Sequence, residues 1–275
     1  MTDRYAVIGN PVEHSKSPQI HAEFAKQTGQ DISYERLLAP LDAFAATVRQ
    51  FFSEGGKGLN VTVPFKREAW DMIDAHAGDA LDAEAVNTIK SEGGKLVGHN
   101  TDGIGLVTDI KKNLGFEIAG KRVLLLGTGG AAYGVMFPLL RESRTLTLAY
   151  RTLEKAQRLV KTVENHQGVT VAGLEAKPYD GLAGEQFDIV INATSAGLSG
   201  EMPPLPPGIF APGALAYDMV YGRDTPFLAF ARKEGATRAV DGLGMLVEQA
   251  AESFYIWRGV RPRTAPVIAL LRGTG

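Results

Sequence analysis

The sequence of 275 residues has no cysteine, which excludes disulfide bonds, thiol catalysis and metal sites built from thiolates. Its five histidines are scattered and lack the spacing of metal ligands, so no metal site is predicted. A reducing compartment is the simplest setting for such a chain, and we expect the protein to be cytoplasmic.

The sequence also lacks an excess of basic charge and a long apolar run. Lysine and arginine number 29 against 31 acidic residues, so nothing favours binding to a nucleic-acid backbone. No apolar run approaches the roughly 18 residues that span a bilayer, and the N-terminus passes into a strand-like Tyr5-Ala6-Val7-Ile8 without signal-peptide features. With 44% hydrophobic and 22% charged residues, the composition is that of a globular protein.

Strand-like and helix-like segments alternate through the N-terminal part of the chain. Apolar runs predict strands that end near Gly9, Ala39, Val63, Ile89 and Gly98. Amphipathic stretches at 18–26, 41–52 and 65–73 predict helices between them. This alternation predicts a mostly parallel sheet with helices on both faces.

A second alternation begins with a helix predicted at 105–113. Strands are predicted at 122–126, 146–150, 169–171, 187–191 and 214–220, the third of these weakly. The proline-rich stretch 203–212 predicts a loop, and two helices are predicted in the tail at 243–257 and 266–272. The chain is therefore expected to be an α/β protein of two domains.

A glycine-rich turn, Gly-Thr-Gly-Gly-Ala-Ala at 127–132, separates the apolar strand at 122–126 from a helical run. It has the G-x-G-x-x-G/A arrangement of dinucleotide-binding folds, with Ala132 in the last place. Gly127 allows the tight turn, Gly129 lets the backbone approach a pyrophosphate, and the amides at the helix start face the phosphates. Glycine clusters also form plain turns, but the position between strand and helix favours a dinucleotide site.

The end of the next strand indicates which dinucleotide binds. An NAD site usually carries Asp or Glu about 20 residues past the glycines, where the carboxylate binds the ribose 2′-hydroxyl. Here the strand ends Ala-Tyr-Arg-Thr at 149–152, with Lys155 one turn beyond Arg151. Two cations in place of an acid favour the 2′-phosphate of NADP, although a solvated pair at a helix start is also common.

Polar residues lie where strands of the first domain should end. Period-two alternation places Asn60 and Thr62 on one face of a strand, and Lys66 follows at the turn into a helix. Ser17 suits an N-cap and Pro18 the first helical position, so the helix start could hold a carboxylate. Taken alone, a serine and a lysine in these positions are more often an ordinary cap and an ordinary surface lysine.

Eight sequence blocks, taken together, resemble the shikimate dehydrogenase family, whose enzymes reduce 3-dehydroshikimate to shikimate with NADPH. They are Ser-Lys-Ser-Pro at 15–18, Gly-Leu-Asn-Val-Thr-Val-Pro-Phe-Lys at 58–66, Ala-Val-Asn-Thr at 85–88, Asn-Thr-Asp-Gly at 100–103, Gly-Thr-Gly-Gly-Ala at 127–131, Ile-Asn-Ala-Thr-Ser at 191–195, Asp-Met-Val-Tyr at 218–221 and Asp-Gly-Leu-Gly-Met-Leu-Val-Glu-Gln-Ala at 241–250. The resemblance spans nearly the whole chain, and the second and fourth blocks are highly specific as a pair.

The resemblance implies a role for each matching residue. Lys66 and Asp102 would form the catalytic pair, since hydride transfer to a ketone builds negative charge on oxygen that an ammonium can stabilise and protonate. Ser15, Ser17 and Tyr221 would hold the substrate carboxylate. The ring hydroxyls would be bound by Asn60, Thr62, Asn87 and Gln249.

The resemblance also implies which residues bind NADP. They are Gly127, Gly129, Gly130, Ala131, Arg151, Thr152, Lys155, Asn192, Thr194, Met219, Gly242 and Met245. Met219 and Met245 would line the nicotinamide, although methionines at helical spacing are as often core residues. The sequence departs from the family at Tyr150, where Asn is usual, and at Lys155, where Arg is frequent.

We therefore predict a substrate domain at 1–103 plus 241–275, a Rossmann-type NADP domain at 104–240, and an active site in the cleft between them. The predicted function is NADP-dependent reduction of 3-dehydroshikimate, on the route to chorismate and aromatic amino acids. A dual quinate/shikimate dehydrogenase, a non-catalytic shikimate sensor of the same fold and another two-domain dehydrogenase stay open as alternatives. A monomer or a homodimer is expected.

Overall fold

The predicted alternations of strand and helix form two six-stranded sheets in a computed structural model, which describes residues 2–164 and 173–273. The chain divides into two units, Met1–Gly105 with Val247–Gly275, and Leu106–Leu246. The predicted domain boundaries stay a prediction. No helix of the described ranges is long and apolar enough to cross a membrane.

The elements are numbered in chain order. The strands are β1 Asp3–Gly9, β2 Ile32–Leu38, β3 Gly58–Val61, β4 Ala75–His76, β5 Thr88–Glu92, β6 Lys95–His99, β7 Arg122–Leu126, β8 Thr145–Tyr150, β9 Leu174–Pro178, β10 Phe187–Asn192, β11 Phe210–Asp218 and β12 Arg238–Asp241. The helices are α1 Ser17–Thr28, α2 Phe44–Ser53, α3 Lys66–Met72, α4 Ala80–Ala83, α5 Asp102–Thr108, α6 Gly130–Glu142, α7 Leu153–Glu164, α8 Pro226–Lys233, α9 Leu243–Arg258 and α10 Ala265–Gly273. A π-helical turn, Asp109–Asn113, continues α5.

The first unit contains the sheet β2-β1-β3-β5-β6-β4, in which three pairings are parallel and two antiparallel. The predicted mostly parallel sheet is confirmed. The antiparallel pairings are those of β3 with β5 and of β5 with β6, and the second is a hairpin with Glu92 opposite Lys95. Gly93 and Gly94 form its two-residue turn with φ of 59° and 80°, a conformation for which a Gly-Gly pair is a known sequence signal.

Strand β3 ends at Val61, two residues before the predicted end. Thr62 N still bonds Ile8 O at 2.9 Å, but Thr62 O accepts from Phe65 N, so the backbone turns toward α3 instead of continuing the strand. Val63 is therefore 57% exposed, whereas Val61 is 2% exposed. Gly9 is required beside this turn, because a Cβ there would lie 2.4 Å from Thr62 Cγ2.

The second unit contains a sheet in which every pairing is parallel, in the order β12-β11-β10-β7-β8-β9. Counted within the unit, this is strand order 6-5-4-1-2-3, the order of a Rossmann fold. The predicted dinucleotide-binding fold is confirmed. The order reverses between β7 and β10, so the loops that follow these two strands border the crevice where such folds bind ligands.

Two sequence predictions in this unit need comment. The loop predicted at 203–212 is too long, because β11 begins at Phe210 and contains Pro212. The register between β10 and β11 shifts from the pair Phe187–Phe210 to the pair Ile189–Leu215. Pro212 therefore lies in a bulge of β11, where its missing N–H interrupts no hydrogen bond between the strands. The strand predicted at 169–171 lies outside the described residues.

Candidate active site

Lys66 and Asp102 form a partly buried ion pair in the first unit. Lys66 Nζ lies 2.6 Å from Asp102 Oδ2, and the side chains are 19% and 7% exposed. The first residue of α3 thus meets the first residue of α5 across 36 positions of sequence. The predicted catalytic pair is therefore in contact.

The second oxygen of this carboxylate is also held. Asn87 Nδ2 donates to Asp102 Oδ1 at 2.9 Å, and the Asp102 backbone N–H donates to Asn100 Oδ1 at 3.0 Å. Asn100 Nδ2 in turn donates to the Ala85 carbonyl. The Asn-Thr-Asp-Gly block therefore forms a local turn whose effect is to fix the carboxylate in front of Lys66.

Asn87 connects the Lys66–Asp102 pair to Gln249, another predicted site residue. Its Oδ1 accepts from the Thr101 backbone at 2.8 Å, and its Nδ2 lies 3.4 Å from Gln249 Oε1. Thr101 Oγ1 also donates to Gln249 Oε1 at 3.3 Å. Gln249, from α9, therefore lies beside Asp102 despite its distance along the chain.

Asn60, the penultimate residue of β3, belongs to the same network. Tyr34 donates its hydroxyl to Asn60 Oδ1 at 2.7 Å, while Asn60 Nδ2 donates to Ser253 Oγ at 2.9 Å and to Thr88 Oγ1 at 3.1 Å. Sequence reasoning missed these three partners. Ser253 could have been found, since it lies one turn after Gln249 on α9, and Thr88 ends the Ala-Val-Asn-Thr block, whereas no local signal singles out Tyr34.

Helix α9 is held against the sheet by Trp257. Its Nε1 donates to the Ile89 carbonyl at 3.0 Å. A Cβ on Gly58 would lie 2.4 Å from Trp257 Nε1, so the indole rests directly on the backbone of β3. Trp257 lies one turn after Ser253 on α9. Its contact with β3 therefore fixes how closely Ser253 and Gln249 approach the sheet.

The Ser15-Lys16-Ser17 loop precedes α1. The prediction that Ser17 is the N-cap is wrong, because the helix begins at Ser17 and Lys16 occupies the cap position without a side-chain bond. Instead Ser15 Oγ accepts from the Ser17 backbone N–H at 3.3 Å. Arg36 donates to the Ser15 carbonyl through Nε at 3.0 Å and Nη2 at 2.6 Å, which fixes the loop from the neighbouring strand.

These contacts define what the first unit can do chemically. A partly buried ammonium held by a carboxylate can transfer a proton to an oxygen that gains negative charge. The amides of Asn60, Asn87 and Gln249 lie in one connected network with that pair. Thr62 is the first residue after β3, and Ser17 is buried at the start of α1. No cluster of metal ligands occurs among the described residues.

In the second unit, the glycine turn lies at the crevice between β7 and β10. Gly127 has φ of 104°, and a Cβ there would lie 2.9 Å from Thr194 Cγ2. In contrast, a Cβ built on Gly129 or Gly130 would meet no described atom within 4 Å. Helix α6 begins at Gly130, so its first N–H groups adjoin this open space, as pyrophosphate binding requires.

Asn192 organises the loop after β10. Its Oδ1 accepts from the backbone N–H and the hydroxyl of Thr194, at 3.1 and 2.7 Å. Its Nδ2 lies 3.3 Å from Asp218 Oδ1, and Thr225 donates to the other oxygen of Asp218. Burial raises the pKa of Asp218, and these hydrogen bonds oppose that rise. Asp218 and Thr225 are further residues that sequence reasoning did not single out.

The next predicted cofactor residues lie close to the ends of β11 and β12. Met219 follows β11, Gly242 follows β12, and Met245 lies in the first turn of α9. A Cβ on Gly242 would lie 2.4 Å from the Met219 carbonyl oxygen, so the glycine permits a close backbone approach. Met245 is largely buried in the core of this unit, and its N–H donates to Tyr217 at 3.3 Å. Tyr217 donates to the buried Asp109 at 2.6 Å. Tyr221 lies in this unit, three residues after the end of β11.

Arg151, Thr152 and Lys155 lie between the end of β8 and the first turn of α7, where Arg151 and Lys155 are exposed. Burial raises the pKa of Tyr179 to about 12, and the nearby charge of Arg151 opposes this rise. Arg151 thus lies close to a tyrosine that follows β9. The arrangement leaves two cations facing solvent, as the 2′-phosphate of NADP requires.

Three family models match successive parts of the chain. Residues 7–89 match the shikimate dehydrogenase substrate binding domain, residues 109–199 match shikimate / quinate 5-dehydrogenase, and residues 242–272 match the shikimate 5′-dehydrogenase C-terminal domain. The matched segments contain most of the predicted site residues, including Lys66, Asn192 and Gln249.

Similar proteins match over the whole length. Shikimate dehydrogenase (NADP(+)) of Methylobacillus flagellatus is 58% identical and covers 98% of this chain and 99% of its own. The crystal structure of an Ael1 enzyme from Pseudomonas putida is 47% identical over 98% of both chains, with a TM-score of 0.90. Shikimate 5-dehydrogenase of Thermus thermophilus, solved in complex with NADP(H) and shikimate, is 31% identical over 98% of this chain and 99% of its own, with a TM-score of 0.86.

Proposed function

The chain belongs to the shikimate dehydrogenase family, and on that basis we propose that it catalyses the NADP-dependent, reversible reduction of 3-dehydroshikimate to shikimate. The reaction is a step toward chorismate and the aromatic amino acids. The observation that carries the proposal is the 2.6 Å contact of Lys66 Nζ with Asp102 Oδ2, beside amides suited to ring hydroxyls.

Lys66 would be the proton donor in the reductive direction. NADPH, when bound, supplies the hydride that goes to the ketone carbon. The electron pair of the carbonyl bond then moves onto oxygen, where the Lys66 ammonium stabilises the charge and transfers its proton. Neutral Lys66 regains a proton from water. In the oxidative direction, neutral Lys66 would remove the proton of the reacting hydroxyl.

Asp102 would orient Lys66 and hold it in the charged form before transfer. Asn87 supports this role, because its amide fixes one carboxylate oxygen and leaves the other for Lys66. We propose that Asn60, Thr62, Asn87 and Gln249 bind the ring hydroxyls. Ser15, Ser17 and Tyr221 would hold the carboxylate, and the bonds from Arg36 to Ser15 support a fixed serine loop.

The geometry of the second unit supports the proposed cofactor residues. The open space at Gly129 and Gly130, next to the start of α6, fits a pyrophosphate. The proposed phosphate contacts also include Gly127 and Ala131. Arg151, Thr152 and Lys155 would bind the 2′-phosphate, and the proposed nicotinamide side comprises Asn192, Thr194, Met219, Gly242 and Met245.

A two-by-two assay tests the proposal. Initial rates of reduced-cofactor formation would be measured with shikimate or quinate as substrate and NADP or NAD as acceptor. We expect the highest kcat/KM with shikimate and NADP. Comparable kcat/KM on quinate would indicate the dual-specificity alternative. Binding of shikimate without any turnover would contradict the enzyme and support the sensor. The cytoplasmic compartment and the monomeric or homodimeric state stay predictions.

A further inference from the structure

The side-chain amide of Asn60 has nearly all of its hydrogen-bonding capacity used inside the first unit. Its two N–H groups face Ser253 Oγ at 2.9 Å and Thr88 Oγ1 at 3.1 Å, with the Asn87 carbonyl at 3.3 Å. Its oxygen accepts from the Tyr34 hydroxyl at 2.7 Å. An amide oxygen has two acceptor positions, so one remains after Tyr34 has donated.

The hydroxyl partners determine which way this amide points. Ser253 can give its hydrogen to the Gln249 carbonyl at 3.0 Å, one turn back on α9. Thr88 can give its hydrogen to Asn87 Oδ1, also at 3.0 Å. Thr88 Oγ1 and Ser253 Oγ also lie 2.8 Å apart, so one of the two hydroxyls can instead donate to the other. In each of these arrangements both hydroxyl oxygens keep an acceptor position for an N–H donor. Asn60 Nδ2 therefore points toward them, and Oδ1 points toward Tyr34.

Tyr34 is held as a neutral donor by its surroundings. Its ring stacks on His21 with centroids 4.2 Å apart and planes 8° apart. Burial raises the pKa of Tyr34 well above its usual value, and a hydrogen bond with the Ser17 side chain opposes the rise. Tyr34 thus contacts both the residue proposed for ring hydroxyls and one of the serines proposed for the carboxylate.

His21 lies close to Asn60 without forming a hydrogen bond of normal geometry. Burial lowers the pKa of His21, and Asn60 lies close enough to oppose this fall. Neither ring nitrogen of His21 nevertheless makes a hydrogen bond of normal geometry to a described residue. Among the described residues only Tyr34 donates to Asn60 Oδ1 with normal hydrogen-bond geometry, so a ligand hydroxyl would compete at the second acceptor position only with the weaker contact of His21.

We propose that Tyr34 and Ser253 are positioning residues that fix the Asn60 amide so that its oxygen accepts a hydrogen bond from a substrate ring hydroxyl. The inference rests on the proposed function and refines it. It predicts that Asn60 recognises a hydroxyl as a donor, so that a substrate without hydrogen on that oxygen loses this contact.

The test compares Tyr34→Phe with the wild-type enzyme on shikimate and on analogues that lack the C4 or the C5 hydroxyl. Tyr34→Phe keeps the ring stacked on His21 and removes the hydroxyl, which donates to Asn60 and also contacts Ser17; Ser253→Ala leaves the Ser17 contact in place. On shikimate we expect KM to rise about tenfold with kcat within about twofold, because the lost orientation affects substrate binding. On the analogue that lacks the hydroxyl bound by Asn60, we expect the substitution to have no further effect.

Ser253→Ala provides an independent variant at the opposite side of the amide, and the same pattern is expected with a smaller rise in KM. Tyr5→Phe is the matched control, since Tyr5 is a buried tyrosine of the same unit whose hydroxyl accepts from Arg258 at 3.3 Å. Its kinetics should equal those of the wild type.

Two results would overturn the inference. One is an unchanged KM for shikimate in both variants. The other is an equal loss on shikimate and on both analogues, which would show a purely structural role. Absence of wild-type turnover on shikimate would instead refute the proposed function, so the two failures are distinguishable.

Discussion

Lys66 Nζ and Asp102 Oδ2 lie 2.6 Å apart, at the first residues of two helices that belong to different sequence blocks. If Lys66 donates the proton, Lys66→Ala should lower kcat by about 10²–10⁴ while largely sparing KM. Steady-state kinetics with shikimate and NADP measure both constants. Lys90→Ala is the matched control, because Lys90 also forms an ion pair in this unit, with Glu92 at 3.0 Å. An unchanged kcat in Lys66→Ala would reject the catalytic role.

Asp102→Asn tests the other half of the pair. The substitution keeps the size of the side chain and removes the charge that holds Lys66. We expect kcat to fall by about 10–10³, since the ammonium loses its orientation. The size of the loss should not increase when Asp102→Asn is combined with Lys66→Ala, because the two residues act as one unit. Fully additive losses would contradict a shared role.

Discrimination between cofactors should depend on Arg151. Arg151→Ala removes a cation proposed to face the 2′-phosphate, so KM for NADP should rise about 10- to 100-fold while KM for NAD changes little. Arg158→Ala is the control, since Arg158 is an exposed arginine farther along α7. Equal effects on NADP and NAD would show that Arg151 does not contact the 2′-phosphate.

The sequence predicted the second unit more completely than the first. Strand β7 is continuously apolar and buried on both faces, so its limits at Arg122 and Leu126 follow directly from the hydrophobic pattern. In the first unit, β3 ends early because the Thr62–Phe65 turn competes with the strand ladder. That competition depends on a hydrogen bond between positions that are separated by only three residues, which periodicity does not detect.

The candidate site shows the same limit. Lys66, Asp102 and Asn87 were predictable because each lies in a specific sequence block. The supporting contacts of Tyr34 were not, since Tyr34 meets Asn60 only because β2, β1 and β3 are adjacent in the sheet. A local pattern fixes which residues turn at a strand end, but the pairing order of the sheet decides which side chains meet there.

Gly127 should be required for its contact with Thr194 as well as for its backbone conformation. Gly127→Ala places a Cβ 2.9 Å from Thr194 Cγ2 at φ of 104°, so we expect loss of NADP binding and a lower free energy of unfolding, by about 1–3 kcal/mol. Fluorescence titration with NADPH and urea unfolding measure the two effects.

Gly184→Ala separates the effect of backbone strain from that of a steric contact such as the one with Thr194. Gly184 has φ of 81°, but a Cβ there meets no described atom within 4 Å. It should cost stability without affecting NADP binding. Thr194→Ser removes the contacting methyl and keeps the hydroxyl that bonds Asn192, so it should partly restore NADP affinity to Gly127→Ala. Equal NADP affinity in Gly127→Ala and the wild type would contradict the crevice assignment.

His21 should make the protein less stable at mildly acidic pH. Burial lowers the pKa of His21 to about 3, against about 6.5 in the unfolded chain. Because the unfolded state binds this proton first, the stability from His21 is fully present above pH 6.5 and is lost as the pH falls toward 3. Between pH 7 and pH 5 the loss amounts to about 2 kcal/mol.

Urea unfolding at pH 7 and pH 5 measures this loss in the wild type and in His21→Leu, which cannot titrate. The difference between the two pH values should be about 2 kcal/mol smaller in His21→Leu, whatever the substitution does to stability at pH 7. His14→Gln is the control, because His14 is exposed, and its pH dependence should match the wild type. If His21→Leu kept the full acid destabilisation, His21 would have to be accessible to protons in the folded state, and the packing of its ring against Tyr34 would not persist in solution.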